Sequence, residues 1–263
     1  MKRVLLSAVV LCLLLSIGCS PGAGTARDTP PREAASPSPN DKATEPTQPI
    51  AAIVDWSDTV KFGGITYLMA SGEAAEVGRP LKETDLGPKF AEVRHKLQDN
   101  VNDPAYEMKN GDAGFLKPGT PLYEVEGYDP SFRLAAYDAY TGKTLTLYEV
   151  VSNPKAKEAS DYLDIEGKVR YIGVNRDFDH RTRLAVIRDP EKVRSLVEMV
   201  MESPLQEKPG SFSDRNEKVY YLAFHLEDGT SSVQTYYPNE GKMYFGITLP
   251  EEFQEIIERA VAA

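Results

Sequence analysis

Between Ser20 and Pro49 the chain runs for 30 residues without a Val, Ile, Leu or aromatic side chain, and seven of those residues are proline. Such a stretch has no apolar area to bury, so nothing offsets the entropy lost on ordering it. Any packed core must therefore be assembled from residues 50–263, a length suited to one domain or two. As a flexible coil the 30 residues would hold their ends about 30 Å apart, and about 90 Å when extended. The expectation is a tether over 19–49 that acts as a spacer.

The segment upstream has a different character. Lys2-Arg3 is followed by an apolar run of 14 residues, Val4 to Ile17, interrupted only by Ser7 and Ser16, and then by Gly18-Cys19. A basic start, a short apolar stretch and a small residue before the cut make residues 1–18 a secretory signal peptide. The run falls short of the roughly 20 residues that span a bilayer as a helix. Leu15-Ser16-Ile17-Gly18-Cys19 resembles the lipobox of bacterial lipoproteins, with Ser16 where that family usually carries Leu. The resemblance implies that Cys19 receives a diacylglyceryl thioether and becomes the first residue of the mature chain. It also implies a protein anchored to the lipid bilayer on the outer face of the cell membrane. The alternative is an ordinary signal peptide, but Ala23-Gly24-Thr25-Ala26 lies well beyond the apolar run.

Cys12 and Cys19 are the only cysteines. Cys12 leaves with the signal and Cys19 is consumed by lipid, so no disulfide framework, cysteine nucleophile or cysteine metal site is expected. The net charge of −10 becomes −12 once Lys2 and Arg3 are removed. No Lys/Arg cluster follows the signal, so neither nucleic acid nor anionic lipid is an expected electrostatic partner.

The remainder reads as α+β, with a β-rich part over 50–152 and a mixed part over 153–263. Thr59–Phe62 and Ile65–Leu68 flank Gly63-Gly64, a hairpin signal. Phe90–Leu97 suits a strand or a short helix. Pro121–Glu126, Phe132–Ala136 and Thr144–Val151 read as a meander, and polar Asn153–Ser160 is the best internal boundary. Lys168–Val174 and Arg183–Arg188 alternate as strands do. Asp189-Pro190 then opens a helix carrying Val193, Leu196, Val197, Val200 and Met201 on one face, ended by Pro204. Strands are expected over Val219–Leu226, Ser231–Tyr237 and Lys242–Thr248. A last helix, capped by Thr248 with Glu251 in a capping box, buries Phe253, Ile256, Ile257, Ala260 and Val261. Strand–helix–three-strand meander–helix makes the second half α+β.

Gly111-Asp112-Ala113-Gly114-Phe115-Leu116, Pro118–Tyr123 and Gly246-Ile247-Thr248-Leu249-Pro250 resemble segments of uncharacterised envelope lipoproteins from spore-forming Gram-positive bacteria. That likeness implies a Gram-positive envelope and carries no activity with it.

Catalytic motifs are sparse. His95, His180 and His225 lie far apart, and no nucleophile elbow, P-loop or dinucleotide fingerprint occurs. Asn175-Arg176-Asp177-Phe178-Asp179 spaces oxygen ligands as a calcium loop does, yet His180 and Val186 stand where glycine and glutamate belong. A polar hairpin loop explains the same residues. Tyr220-Tyr221 and Tyr236-Tyr237 on neighbouring strands offer either an outward platform for sugar rings or cross-strand packing. No catalytic, cofactor-binding or metal residue is singled out. The reading is a non-enzymatic binding or interaction module that meets cell-wall polymer or another envelope protein. The alternatives are a small solute-binding lipoprotein of a transport system and an envelope hydrolase.

Overall fold

In the computed structural model, residues 54–70, 78–177, 182–205, 218–244 and 246–263 are described. Gly63 and Gly64 take φ of 61° and 87°, and this double left-handed turn closes a hairpin between β1 (Thr59–Phe62) and β2 (Ile65–Met69). Phe62 stands opposite Ile65 and Val60 opposite Tyr67, which sends Val60 and Tyr67 together into the core. The hairpin lies inside an eight-stranded sheet with β3 (Leu86–Glu92), β4 (His95–Lys96), β5 (Asp112–Ala113), β6 (Pro121–Val125), β7 (Arg133–Tyr137) and β8 (Leu145–Ser152). Its order is β3-β6-β7-β8-β2-β1-β5-β4. Every pairing is antiparallel except that of β4 with β5. The stretch Phe90–Leu97 is thereby strand at both ends, not helix.

A second sheet, in the order β10-β9-β11-β12-β13, holds β9 (Val169–Asn175), β10 (Arg183–Ile187), β11 (Tyr220–Leu226), β12 (Ser231–Tyr237) and β13 (Lys242–Met243). Two α-helices accompany it among the described residues, α1 (Pro190–Met201) and α2 (Glu251–Ala262). The protein is α+β and mostly β. Among the described residues no helix is long and apolar enough to cross a membrane.

Asp189 caps α1, its Oδ1 accepting from the N–H groups of Glu191 (3.0 Å) and Lys192 (3.1 Å). The helix buries Val193, Leu196, Val197 and Val200 as their spacing predicts. Two expectations near the end of the chain fail together. The strand predicted over Lys242–Thr248 stops at Met243, because Met243 N–H donates to Ile247 O (2.9 Å) and Gly246 N–H to Met243 O (2.9 Å), closing a tight turn. Ile247 and Thr248 then bridge to Leu205 and Lys242, which holds them extended. Helix α2 therefore begins only at Glu251 with Pro250 at its N-cap, and the Thr248 capping box does not form. Glu251 and Glu252 in the first turn complement the helix dipole instead.

One apolar cluster runs through both sheets and both helices. Tyr67, Phe132, Leu134 and Tyr148 join it from the first sheet, Ile172, Leu222, Phe224 and Tyr236 from the second, and Leu196 and Phe253 from the helices. Tyr236 meets Phe253 edge-on at 5.3 Å between ring centroids. A buried ion pair within the first sheet also bonds to the second. Arg133 on β7 is 0% exposed and bonds Glu149 Oε1 at 2.5 Å, while Glu149 Oε2 accepts from Ser232 Oγ on β12 at 2.9 Å.

Candidate functional site

Alternation along a strand sends Ile172 and Val174 of β9 into the core, so Tyr171, Gly173 and Asn175 share the opposite face. On β11 the same logic buries Leu222 and Phe224 and places Tyr221, Ala223 and His225 opposite. Register sets these residues side by side: His225 faces Tyr171, Ala223 faces Gly173 and Tyr221 faces Asn175. The Tyr171 and His225 rings stack at 4.1 Å with 19° between their planes. Arg188, just past β10, lies with its guanidinium 4.3 Å from the Tyr171 ring centre. Tyr171 is thus clasped from the β10 side by a cation and from the β11 side by an imidazole.

His225 is 5% exposed, and its Nδ1 lies 2.9 Å from the hydroxyl of Ser231, its register partner on β12. Its other ring nitrogen looks over Gly173. A Cβ built on Gly173 would sit 3.4 Å from His225 Nε2, 3.7 Å from Asn175 Nδ2 and 3.7 Å from Ala223 Cβ. Asn175 is 2% exposed; its Nδ2 donates to Tyr221 O at 3.3 Å, and its Oδ1 is buried without a hydrogen-bond partner. Beside this row opens a recess of 350 Å³, lined by Gly78, Arg170, Tyr171, Arg183, His225, Leu226 and Gly229.

Ser231 and His225 form the described Ser–His contact, but its geometry suits positioning better than nucleophilic attack. Ser231 is 6% exposed and does not line the recess that His225 lines. A serine nucleophile must reach its substrate carbonyl. The hydroxyl here fixes the imidazole plane within the sheet.

The Arg133–Glu149 ion pair is the other concentration of buried charge. Arg133 packs its guanidinium 4.4 Å from the ring centres of both Tyr128 and Phe132, and its Nη1 donates to Thr230 Oγ1 at 3.0 Å. Burial raises the Glu149 carboxyl above the usual carboxylate value, and the Arg133 charge offsets part of that rise. A wider cleft of 700 Å³ carries Asp129, Asp161 and Asp164. Each of these carboxylates accepts from nearby backbone: Ser131 N–H on Asp129 (2.7 Å), Lys157 N–H on Asp161 (2.7 Å) and Asp129 N–H on Asp164 (2.8 Å). They tie turns. Among the described residues no group of three His, Cys, Asp or Glu side chains is placed to hold a metal.

The residues singled out in the sequence are scattered. Cys19 and His180 lie outside the described residues, as do residues 178–181 of the candidate calcium loop, while His95 is exposed on β4. Tyr220 and Tyr236 are register partners in the core, with Tyr220 Oη donating to Glu258 Oε2 at 3.3 Å. Tyr221 stands opposite Thr235, so Tyr221 and Tyr237 are not partners across the strands. Sequence reasoning missed Tyr171, Gly173, Arg183 and the Arg133–Glu149 pair. Gly173 inside an apolar strand was the available signal, since a strand glycine often marks a close approach.

No protein-family model matches this chain, and neither does any curated protein or solved structure.

Proposed function

We propose that the chain is an exported lipoprotein, held by an acylated Cys19 on the outer face of the cell membrane. Its compact unit, Ile50–Ala263, serves as a non-enzymatic binding module of the envelope. The observation that carries the reading is Met1–Cys19, a basic start, a 14-residue apolar run and Gly18-Cys19, set before 30 residues that hold no core-forming side chain. A leash of that composition would let a folded unit stand clear of the headgroups and sample nearby cell wall. The binding role is supported by the second sheet, whose Tyr171–His225–Ser231 row is already fixed by stacking and hydrogen bonding. Groups held in place before a ligand arrives lose little entropy on binding it.

The anchor is tested with Cys19→Ala. The wild-type chain should enter the detergent-rich phase on phase separation and take up labelled palmitate. The variant should stay in the aqueous phase or persist as an uncleaved precursor, and it should carry no label. Equal partitioning of the two would overturn the assignment.

A further inference from the structure

We propose that the Asn110–Gly111 bond is a self-modification site, silent in the folded chain, that turns an opened chain into an isoaspartate form unable to refold. Glycine after asparagine favours cyclisation, because it carries no Cβ to crowd its own amide nitrogen. The Gly111 nitrogen gives its proton to water and attacks Asn110 Cγ. A C–N bond forms, the bond from Cγ to Nδ2 breaks, and ammonia leaves a five-membered succinimide. Water then opens the ring with no change of oxidation state, and it is the only co-reactant. Opening at Cγ gives aspartate. Opening at the main-chain carbonyl routes the backbone through Cγ and gives isoaspartate, longer by a single backbone atom.

Gly111 sits at the seam that closes the first sheet. β3 and β4 stand at opposite ends of the strand order, yet only Val93 and Arg94 separate them in the chain. Val93 N–H donates to Thr120 O (2.9 Å) and Gly119 N–H to Val93 O (2.8 Å). A single stretch of chain therefore pairs with β6 in its first part and with β5 in its second, and the sheet closes on itself. Across this seam Gly111 N–H donates to Lys61 O on β1 (2.8 Å), and Gly111 O accepts from Arg94 N–H (2.8 Å) and His95 N–H (3.2 Å). Asn110 is exposed, but its Oδ1 accepts from Gly64 N–H in the first hairpin turn at 2.9 Å. The attacking nitrogen is thus buried with its proton engaged, while the carboxamide is held by a different turn. Cyclisation requires Gly111 N–H to leave Lys61, which happens only when the seam opens. The way back is closed by geometry. Gly111 holds φ at 100°, and even a Cβ there would stand 2.9 Å from Arg94 Cδ. An extra backbone atom before it displaces the N–H from Lys61 and the carbonyl from β4 together, leaving polar groups unpaired on both sides of the seam. Aspartate keeps both the normal backbone and an acceptor for Gly64 N–H.

This gating rests on neither the anchor nor the binding role. Purified full-length chain in detergent is aged in mildly alkaline buffer, folded in one arm and unfolded by guanidinium chloride in the other. Peptide mass mapping should find residue 110 heavier by a single mass unit in the unfolded arm, with isoaspartate detected by isoaspartyl methyltransferase labelling. The folded arm should convert at least about tenfold more slowly, in proportion to the fraction of chain that is open. After removal of denaturant, size exclusion separates refolded from unfolded chain. Isoaspartate at residue 110 should be concentrated in the unfolded fraction and missing from the refolded one. Asn110→Asp should refold as unaged wild type does, and Asn110→Gln aged in denaturant should lose no capacity to refold. Equal conversion in the two arms, no conversion in denaturant, or isoaspartate shared evenly between the two fractions would each overturn the proposal. So would Asn110→Gln losing its capacity to refold on ageing as fast as wild type, because the damage would then lie elsewhere.

Discussion

Asp138 organises the turn between β7 and β8 almost alone. Its Oδ1 accepts from the N–H groups of Tyr140 (3.0 Å) and Thr141 (2.6 Å), and its Oδ2 from Thr141 Oγ1 (2.5 Å) and Thr144 N–H (3.0 Å). The Thr141 hydroxyl, with the backbone donors behind it, holds the carboxyl well below the usual carboxylate range. A depressed folded value means that the unfolded chain binds the proton more tightly. The stabilisation is therefore complete above the ordinary carboxylate value and fades as pH falls through the depressed one. Asp138→Asn should lower the urea midpoint at neutral pH, and the gap from wild type should close in strong acid; a gap independent of pH would contradict the assignment. Gly114 is a different kind of constraint. A Cβ there would stand 2.0 Å from Ser57 O, while Gly114 N–H donates to Thr59 O at 2.7 Å. Gly114→Ala must push the Ser57–Thr59 backbone away and should cost about 1–3 kcal/mol in chemical denaturation.

Among the elements, β7 and β8 are tied to β12 by charge as well as by apolar contact. Removing one partner of a buried pair strands the other charge, which typically costs about 3–5 kcal/mol, whereas replacing both with apolar groups is often close to neutral. The Glu149 side chain is 12% exposed and that of Arg133 0%, so this pair belongs to that class. Glu149→Ala should lose about 3–5 kcal/mol, and Arg133→Met combined with Glu149→Leu should recover most of it. A double variant as unstable as the single would mean that the side-chain geometry, not the stranded charge, carries the cost. This device also marks where the sequence became hard to read. The Gly63-Gly64 hairpin, the Asp189 cap and the apolar face of α1 were legible because each depends on neighbours a few residues away. The Arg133–Glu149–Ser232 link joins positions 16 and 83 residues apart. Arg133 is the one charged residue in the run Phe132–Ala136, and nothing beside it in sequence names its partner. The Tyr171–His225 stack was hidden similarly, since the two rings meet only once β9 and β11 have paired. At the end of the chain local signals misled: Thr248 and Glu251 spell a capping box, but bridges from Leu205 and Lys242 claim the backbone first.

At the scale of the whole chain, the question is whether residues 50–263 unfold as one body or as two. The strands up to Ser152 form one sheet and those from Val169 another, so an N-terminal and a C-terminal part are separable on topology. Energetics favour one. The apolar cluster passes from Tyr148 and Phe132 to Phe224 and Leu196 without a polar gap wide enough to split it, and buried polar bonds cross between the sheets at Glu149–Ser232 and Arg133–Thr230. Arg79 adds another tie, pairing with Asp85 at 2.5 Å and donating to Asp228 O at 2.6 Å in the β11–β12 turn. Exposing either sheet alone would open this shared core to water at roughly 25 cal/mol for each Å² of apolar surface. Unfolding in urea should accordingly follow a single transition, with tyrosine fluorescence and far-ultraviolet circular dichroism coinciding. Deleting residues 20–49 should leave its midpoint and slope unchanged, because that segment has no Val, Ile, Leu, Met or aromatic side chain to lend the core. Two resolved transitions would show that each sheet carries its own stability, and the Arg133–Thr230 and Glu149–Ser232 bonds would then act as a latch between independent bodies.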